Sequence, residues 1–205
     1  DEAELWTLAG SVTVAYAPPT QGGGFGLSGG IAMTDAGGET KASASGLTIT
    51  AGNSADESAD PADATDLTVL ADAGDKISTL TIGVGVGTAG ALSNATAKNK
   101  VDRTVTSLLK DVKVVASDGT TWEGSRQLGD VTVIASSHAD IDNLGIMGAA
   151  GAAGAGGAGI SINEITVNVS SKGENADVLA DTLEIAATTS NDIDTNGVGV
   201  AGSGN

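Results

Sequence analysis

The 205-residue chain holds 31 glycines and only four aromatic residues, so it lacks the material for the aromatic-rich core of an ordinary globular domain. Its 26 acidic and 9 basic residues leave a formal net charge of −17, which excludes the basic footprint that nucleic acid requires and repels an anionic membrane. Without cysteine there is no disulfide or thiolate metal site, and 40% hydrophobic residues is too many for a solvated coil.

In chain order, no charged segment followed by an apolar one opens the chain at Asp1, as expected of a mature or excised fragment. The first strand-like run is Val12-Thr13-Val14-Ala15-Tyr16. Residues 17–30, with Pro18-Pro19 and a Gly-rich run, read as a loop insertion. Leu47-Thr48-Ile49-Thr50-Ala51 is a clearer strand, and the acidic, Pro-containing residues 52–65 after it read as a second insertion. The same apolar-x-apolar-x-Ala pattern returns as Leu67-Thr68-Val69-Leu70-Ala71 and Val112-Lys113-Val114-Val115-Ala116. It returns again as Val131-Thr132-Val133-Ile134-Ala135 and Leu183-Glu184-Ile185-Ala186-Ala187. Asp precedes three copies, at Asp66, Asp111 and Asp130, and a large apolar residue follows the Ala by six in four: Ile77, Trp122, Ile141 and Ile193. Leu144 to Asn163 carries no charge, yet its Gly and Ala offer too little apolar area for a membrane span. The stretch from Asn175 to Leu183 suits a turn or two of helix or a loop into the last strand.

Alternation at period two with β-branched residues is strand chemistry, so the two apolar residues and the Ala share one face. Thr13, Thr48, Thr68, Thr132, Lys113 and Glu184 then face solvent. Two of the intervals between copies, from Leu47 to Leu67 and from Val112 to Val131, match one coil of a parallel β-helix at about 20 residues. The expected fold is therefore all-β: a parallel β-helix of roughly 20 residues per coil, one solenoid over residues 1–205 cut from a longer chain. All five copies should lie in one sheet, with Ile49, Val69, Val114, Val133 and Ile185 inward. Small side chains fill such a narrow interior, which accounts for the composition.

From Asp130 onward the order of elements is strand, Ile141, Gly/Ala-rich run from Gly145 to Gly159, Ile160-Ser161-Ile162-Asn163, Ile165-Thr166-Val167-Asn168, and then the Leu183 strand. Over roughly residues 66 to 205 this resembles the repeats of leukotoxin-type filamentous adhesins, within the haemagglutinin and autotransporter class of Gram-negative bacteria. The resemblance implies a right-handed β-helix shaft, exported and held at the cell surface or secreted.

Chemistry-bearing patterns are few. G-x-G-x-x-G occurs at Gly85, Gly87 and Gly90, but also at Gly154, Gly156 and Gly159 and at Gly197, Gly199 and Gly202. A dinucleotide loop is needed once and precedes a helix, whereas structural glycines recur with a repeat. His138, Asp140 and Asp142 form His-x-Asp-x-Asp, and Asp192 and Asp194 repeat the carboxylate pair. The central Ile is the repeat's apolar position, so the carboxylates point outward. They read as solvated turn residues, with a loose cation site at Asp140, Asp142, Asp192 and Asp194 as the alternative. Carbohydrate-active β-helix enzymes need paired carboxylates or a strong base, and only Arg103 and Arg126 are present, in unlike contexts. No Ser/His/Asp set is visible, and Lys113 and Glu184 interrupt the outward Thr ladder that ice binding needs.

The expected function is thus structural or adhesive, without catalysis, cofactor or metal. The chain reads as a shaft segment whose partners are like chains or adjacent repeats end to end, with a host or bacterial surface receptor or glycan beyond. The alternatives are a subunit of a self-assembling extracellular fibre or surface layer and, less favoured, a carbohydrate-active enzyme.

Overall fold

The computed structural model describes residues 2–17, 22–50, 66–115 and 129–204. Alternation of inward and outward side chains produces ten strands in chain order among the described residues. They are β1 (Glu2–Ala15), β2 (Phe25–Ser45), β3 (Thr48–Thr50), β4 (Leu67–Gly87), β5 (Gly90–Lys110), β6 (Lys113–Val115), β7 (Val131–Gly151), β8 (Ala155–Glu174), β9 (Asp177–Val178) and β10 (Leu183–Ser203). Every pairing is parallel. Sheet A has the order β1-β4-β7-β10, sheet B β2-β5-β8 and sheet C β3-β6-β9. Visiting sheets A, B and C in turn and then returning to A is the path of a parallel β-solenoid.

One coil is a long strand, a two-residue turn at Thr88 and Ala89, a second long strand, a corner, and a short third strand. Leu67 pairs with Val131 and Ala91 with Ala155, the same separation of 64 that joins Asp66 to Asp130 by a hydrogen bond. The coil is therefore about three times longer than the spacing of the copies suggests. The short interval is real but lies within a coil: it separates the sheet C copy at Leu47 from the sheet A copy at Leu67. The five copies accordingly occupy two sheets, not one. Leu67, Val131 and Leu183 stack in sheet A, while Ile49 stacks on Val114 in sheet C. Copies from both sheets look alike because they line one cluster, in which Val69, Leu109, Val112, Val114, Val131 and Val133 are buried. Val69, Val114 and Val133 face inward as expected, Ile49 is half-buried, and Ile185 is 45% exposed.

Two further expectations are corrected. Residues 25–30 belong to β2, paired to β5 from Phe25 and Gly90 onward, because their alternating small residues suit a sheet that closely faces another. The copy at Val12 pairs with Val84, not with Leu67, and its sense is reversed: Val12 and Val14 point outward and Thr13 inward. The insertion at 52–65, Trp122 and Arg126 lie outside the described residues. Asn175 to Leu183 is the corner, β9 and a loop, without helix.

The cross-section is a wedge. At the wide end the aliphatic cluster fills the space between the three sheets, and a second cluster around Ile77, Val101 and Ile141 lies further along sheets A and B. Near the two-residue turn the sheets nearly touch: a Cβ on Gly83 would sit 2.2 Å from the Asn94 carbonyl oxygen, and one on Gly87 2.0 Å from that of Gly90. Only glycine fits there. At the opposite corner, Gly46, Asp111 and Asn175 share positive φ (65°, 50° and 49°). Residues of these three types tolerate the left-handed conformation, and Asn175 Nδ2 donates to Asp111 Oδ1 at 2.7 Å along the stack.

Candidate functional site

One layer of the interior is polar from coil to coil. Thr7, Thr79, Asn143 and Thr195 are register mates in sheet A, and Thr34, Asn99 and Asn163 in sheet B. Thr7 and Thr34 share a hydrogen bond of 2.7 Å between hydroxyls. Thr79 Oγ1 donates to Asn99 Oδ1 at 2.8 Å, Asn99 Nδ2 to Asn163 Oδ1 at 3.0 Å, and Asn163 Nδ2 to Thr195 Oγ1 at 2.9 Å. Asn143 Nδ2 reaches Ser161 Oγ. Asn99 is fully buried, and from it the ladder runs along the solenoid axis to half-buried Asn163 and exposed Thr195. Four residues from the layer, Asp75 of β4 and Arg103 of β5 form a buried bidentate ion pair, with Arg103 Nε donating to Asp75 Oδ2 at 2.8 Å. The hydrogen bond to Asp75 holds the guanidinium above its ordinary basicity. Arg103 therefore stands at an inward strand position stacked between Gly38 and Val167, although its sequence context shares nothing with the strand copies, and a buried paired guanidinium is not a free base.

The outer face of sheet A carries the sequence-predicted residues. His138 is exposed on β7. Asp140 pairs with Asp192 and Asp142 with Asp194, so the four carboxylates form a two-by-two array on adjacent strands. Lys76 of β4 lies 3.8 Å from Asp140 and 3.6 Å from Asp142, in exposed ion pairs of small energetic weight. Among the described residues no group of three or more acidic or histidine side chains is gathered closely enough to hold a metal ion. Ile141 between its carboxylates is fully buried, whereas Ile193 is 46% exposed because, among the described residues, no sheet B strand continues past β8 to face β10. The three G-x-G-x-x-G runs do not occupy equivalent positions: Gly85, Gly87 and Gly90 span the turn from β4 to β5, the second run begins where Gly90 stacks, and the third lies on β10. No helix follows any of them among the described residues.

Sequence reasoning did not reach the division of charge across the wedge. No acidic or basic residue occurs from Leu5 to Thr34, from Ile77 to Ala97 or from Asn143 to Asn163. The described residues of these stretches are the narrow edge of three successive coils, and the interior polar ladder marks where they begin on sheet A. Outward positions beyond the ladder are apolar or glycine in register: Gly10, Ile82, Ile146 and Val198 form one row, and Val12, Val84, Gly148 and Val200 the next. A shallow groove of about 350 Å³ crosses sheet A at the boundary, between Trp6 and Asp194. The backbone of the turn is bonded from coil to coil, Thr88 N–H to Ala15 C=O and Ala153 N–H to Ala89 C=O. Among the described residues no helix is long and apolar enough to cross a membrane. No protein-family model, curated protein or solved structure matches the chain.

Proposed function

We propose that the chain is a structural or adhesive segment of an extracellular β-helix shaft, carried on a bacterial surface or secreted, and that it performs no catalysis. The observation that supports this reading is the uninterrupted parallel register: hydrogen bonds and stacked side chains run along one axis through every coil. Such a stack transmits tension from coil to coil and holds whatever lies at its end away from the surface that bears it. Its interior polar ladder is bonded along the same axis, as a shaft requires. Tethering the chain by its two ends in an optical trap tests the proposal. Coils should release one after another, in steps of about 17–26 nm, the extended spans of the chain between stacked mates such as Glu2 and Gly74, Leu67 and Val131, and Val131 and Leu183. Extension at negligible force, without coil-sized steps, would contradict it.

The second reading, a subunit of a self-assembling fibre, is favoured by one observation. Ile185 and Ile193 are exposed where β10 has no sheet B strand opposite, and β8 and β10 are each paired on one side only, among the described residues. Such edges invite another strand. Light scattering that grows as salt screens the 17 net negative charges supports the fibre; scattering that is flat from low to high salt opposes it.

A further inference from the structure

We propose that the outer face of sheet A along the narrow edge is a docking surface for a second copy of this chain, which binds it side by side, face to face. On each of the four strands the last four outward positions lie beyond the charged rows, and only Asn196 among the sixteen is polar. Side chains there are half-buried on the inner strands, with Val86 and Leu144 each 38% exposed, and open on the border strands, where Leu8 is 64% exposed, Val12 71% and Val200 70%. Isolated exposed aliphatics need no explanation, but a contiguous field across four strands does.

Geometry sets the size. Four strands at about 4.8 Å and four outward positions at about 6.6 Å give a footprint of about 500 Å² per copy, hence about 1,000 Å² for a pair, the lower bound of a specific interface. Flat faces of this kind pack at about 10 Å, as in a β-sandwich.

Charge selects the occupant. All 26 acidic residues lie outside the edge stretches. A two-fold axis that brings two narrow edges together sends the two acidic bodies in opposite directions, beyond the ~8 Å reach of unscreened repulsion at physiological salt. A lipid surface fits worse. The net charge of −17 opposes anionic headgroups.

This contact is lateral, so it is separate from stacking through the coil ends and does not depend on the shaft reading. Sedimentation velocity of the whole chain at physiological salt tests it, with Ile82→Lys placing a charge at the centre of the face. The unsubstituted chain should dimerise, and Ile82→Lys should weaken the dimer at least tenfold while leaving the circular dichroism spectrum unchanged. If Ile82→Lys does not fold, Val198→Lys on β10 probes the same face at a position already 52% exposed. A monomer at all concentrations overturns the proposal, as does association that neither substitution weakens. A monomer that co-sediments with phosphatidylcholine vesicles also overturns it and assigns the face to lipid. Coil-sized release steps from a strictly monomeric chain would sink this proposal and leave the shaft intact.

Discussion

Asp75 and Arg103 are replaced one coil on by Ala139 and Val167, their register mates. The chain therefore contains both solutions to the same interior site, one ionic and one apolar. Removing a single partner of a buried pair leaves the other charge without compensation, a loss of about 3–5 kcal/mol, whereas exchanging both for apolar residues is often neutral. Asp75→Ala and Arg103→Val should each lower the urea midpoint sharply, and the double variant should recover most of the loss. If the double variant is as unstable as the singles, the pair contributes more than local neutrality. Val133 is fully buried, so Val133→Asp should unfold its coil at a cost of several kcal/mol, while Thr68→Lys on the outer face should stay within about 0.5 kcal/mol. Thermal melts of the two variants separate inward from outward positions on neighbouring strands of one sheet.

At the scale of the strand, the interior polar ladder explains why long strands of mixed composition stay in register. A slip of one residue turns Thr79 and Asn99 outward and brings outward residues into the core. Asn99→Val should cost about 3 kcal/mol, since it strands Thr79 Oγ1 and Asn163 Oδ1. Adding Thr79→Val should cost little more or even restore stability, because the orphaned hydroxyl goes with its partner. Denaturant titration of the single and double variants gives the sign. Strand chemistry, the parallel stack and the inward valines were legible in the apolar-x-apolar-x-Ala copies. So was the stacking of Ile77, Ile141 and Ile193, register mates on β4, β7 and β10. The coil length was misread because sheets A and C line the same cluster and so repeat the same pattern. What separates the two kinds of copy is the Ile that follows the Ala by six, which marks the sheet A copies at Leu67, Val131 and Leu183. The ladder and the ion pair were not legible, since polar residues at inward positions look like breaks in a pattern until the facing strand is known. The charge-free edge was visible as composition around Gly145 but acquires a location only once β4, β7 and their turns are stacked.

Across the whole molecule, an acidic, broad body meets a thin, uncharged edge, with strand pairing continuous along the axis. All of it rests on the long coil that stacks Leu67 on Val131, rather than on a short coil that would stack Leu47 on Leu67. The chain has no cysteine, so pairs of spin labels can be placed without background. The long coil puts Thr68 beside Thr132 on neighbouring strands, about 4.8 Å apart at the backbone. A short coil would instead put Thr48 beside Thr68, which in fact lie in sheets C and A. Electron paramagnetic resonance of Thr68→Cys with Thr132→Cys should show strong spin–spin broadening, absent from Thr48→Cys with Thr68→Cys. Broadening in the second pair and not in the first would contradict the stack, and with it the wedge, the ladder and the docking face.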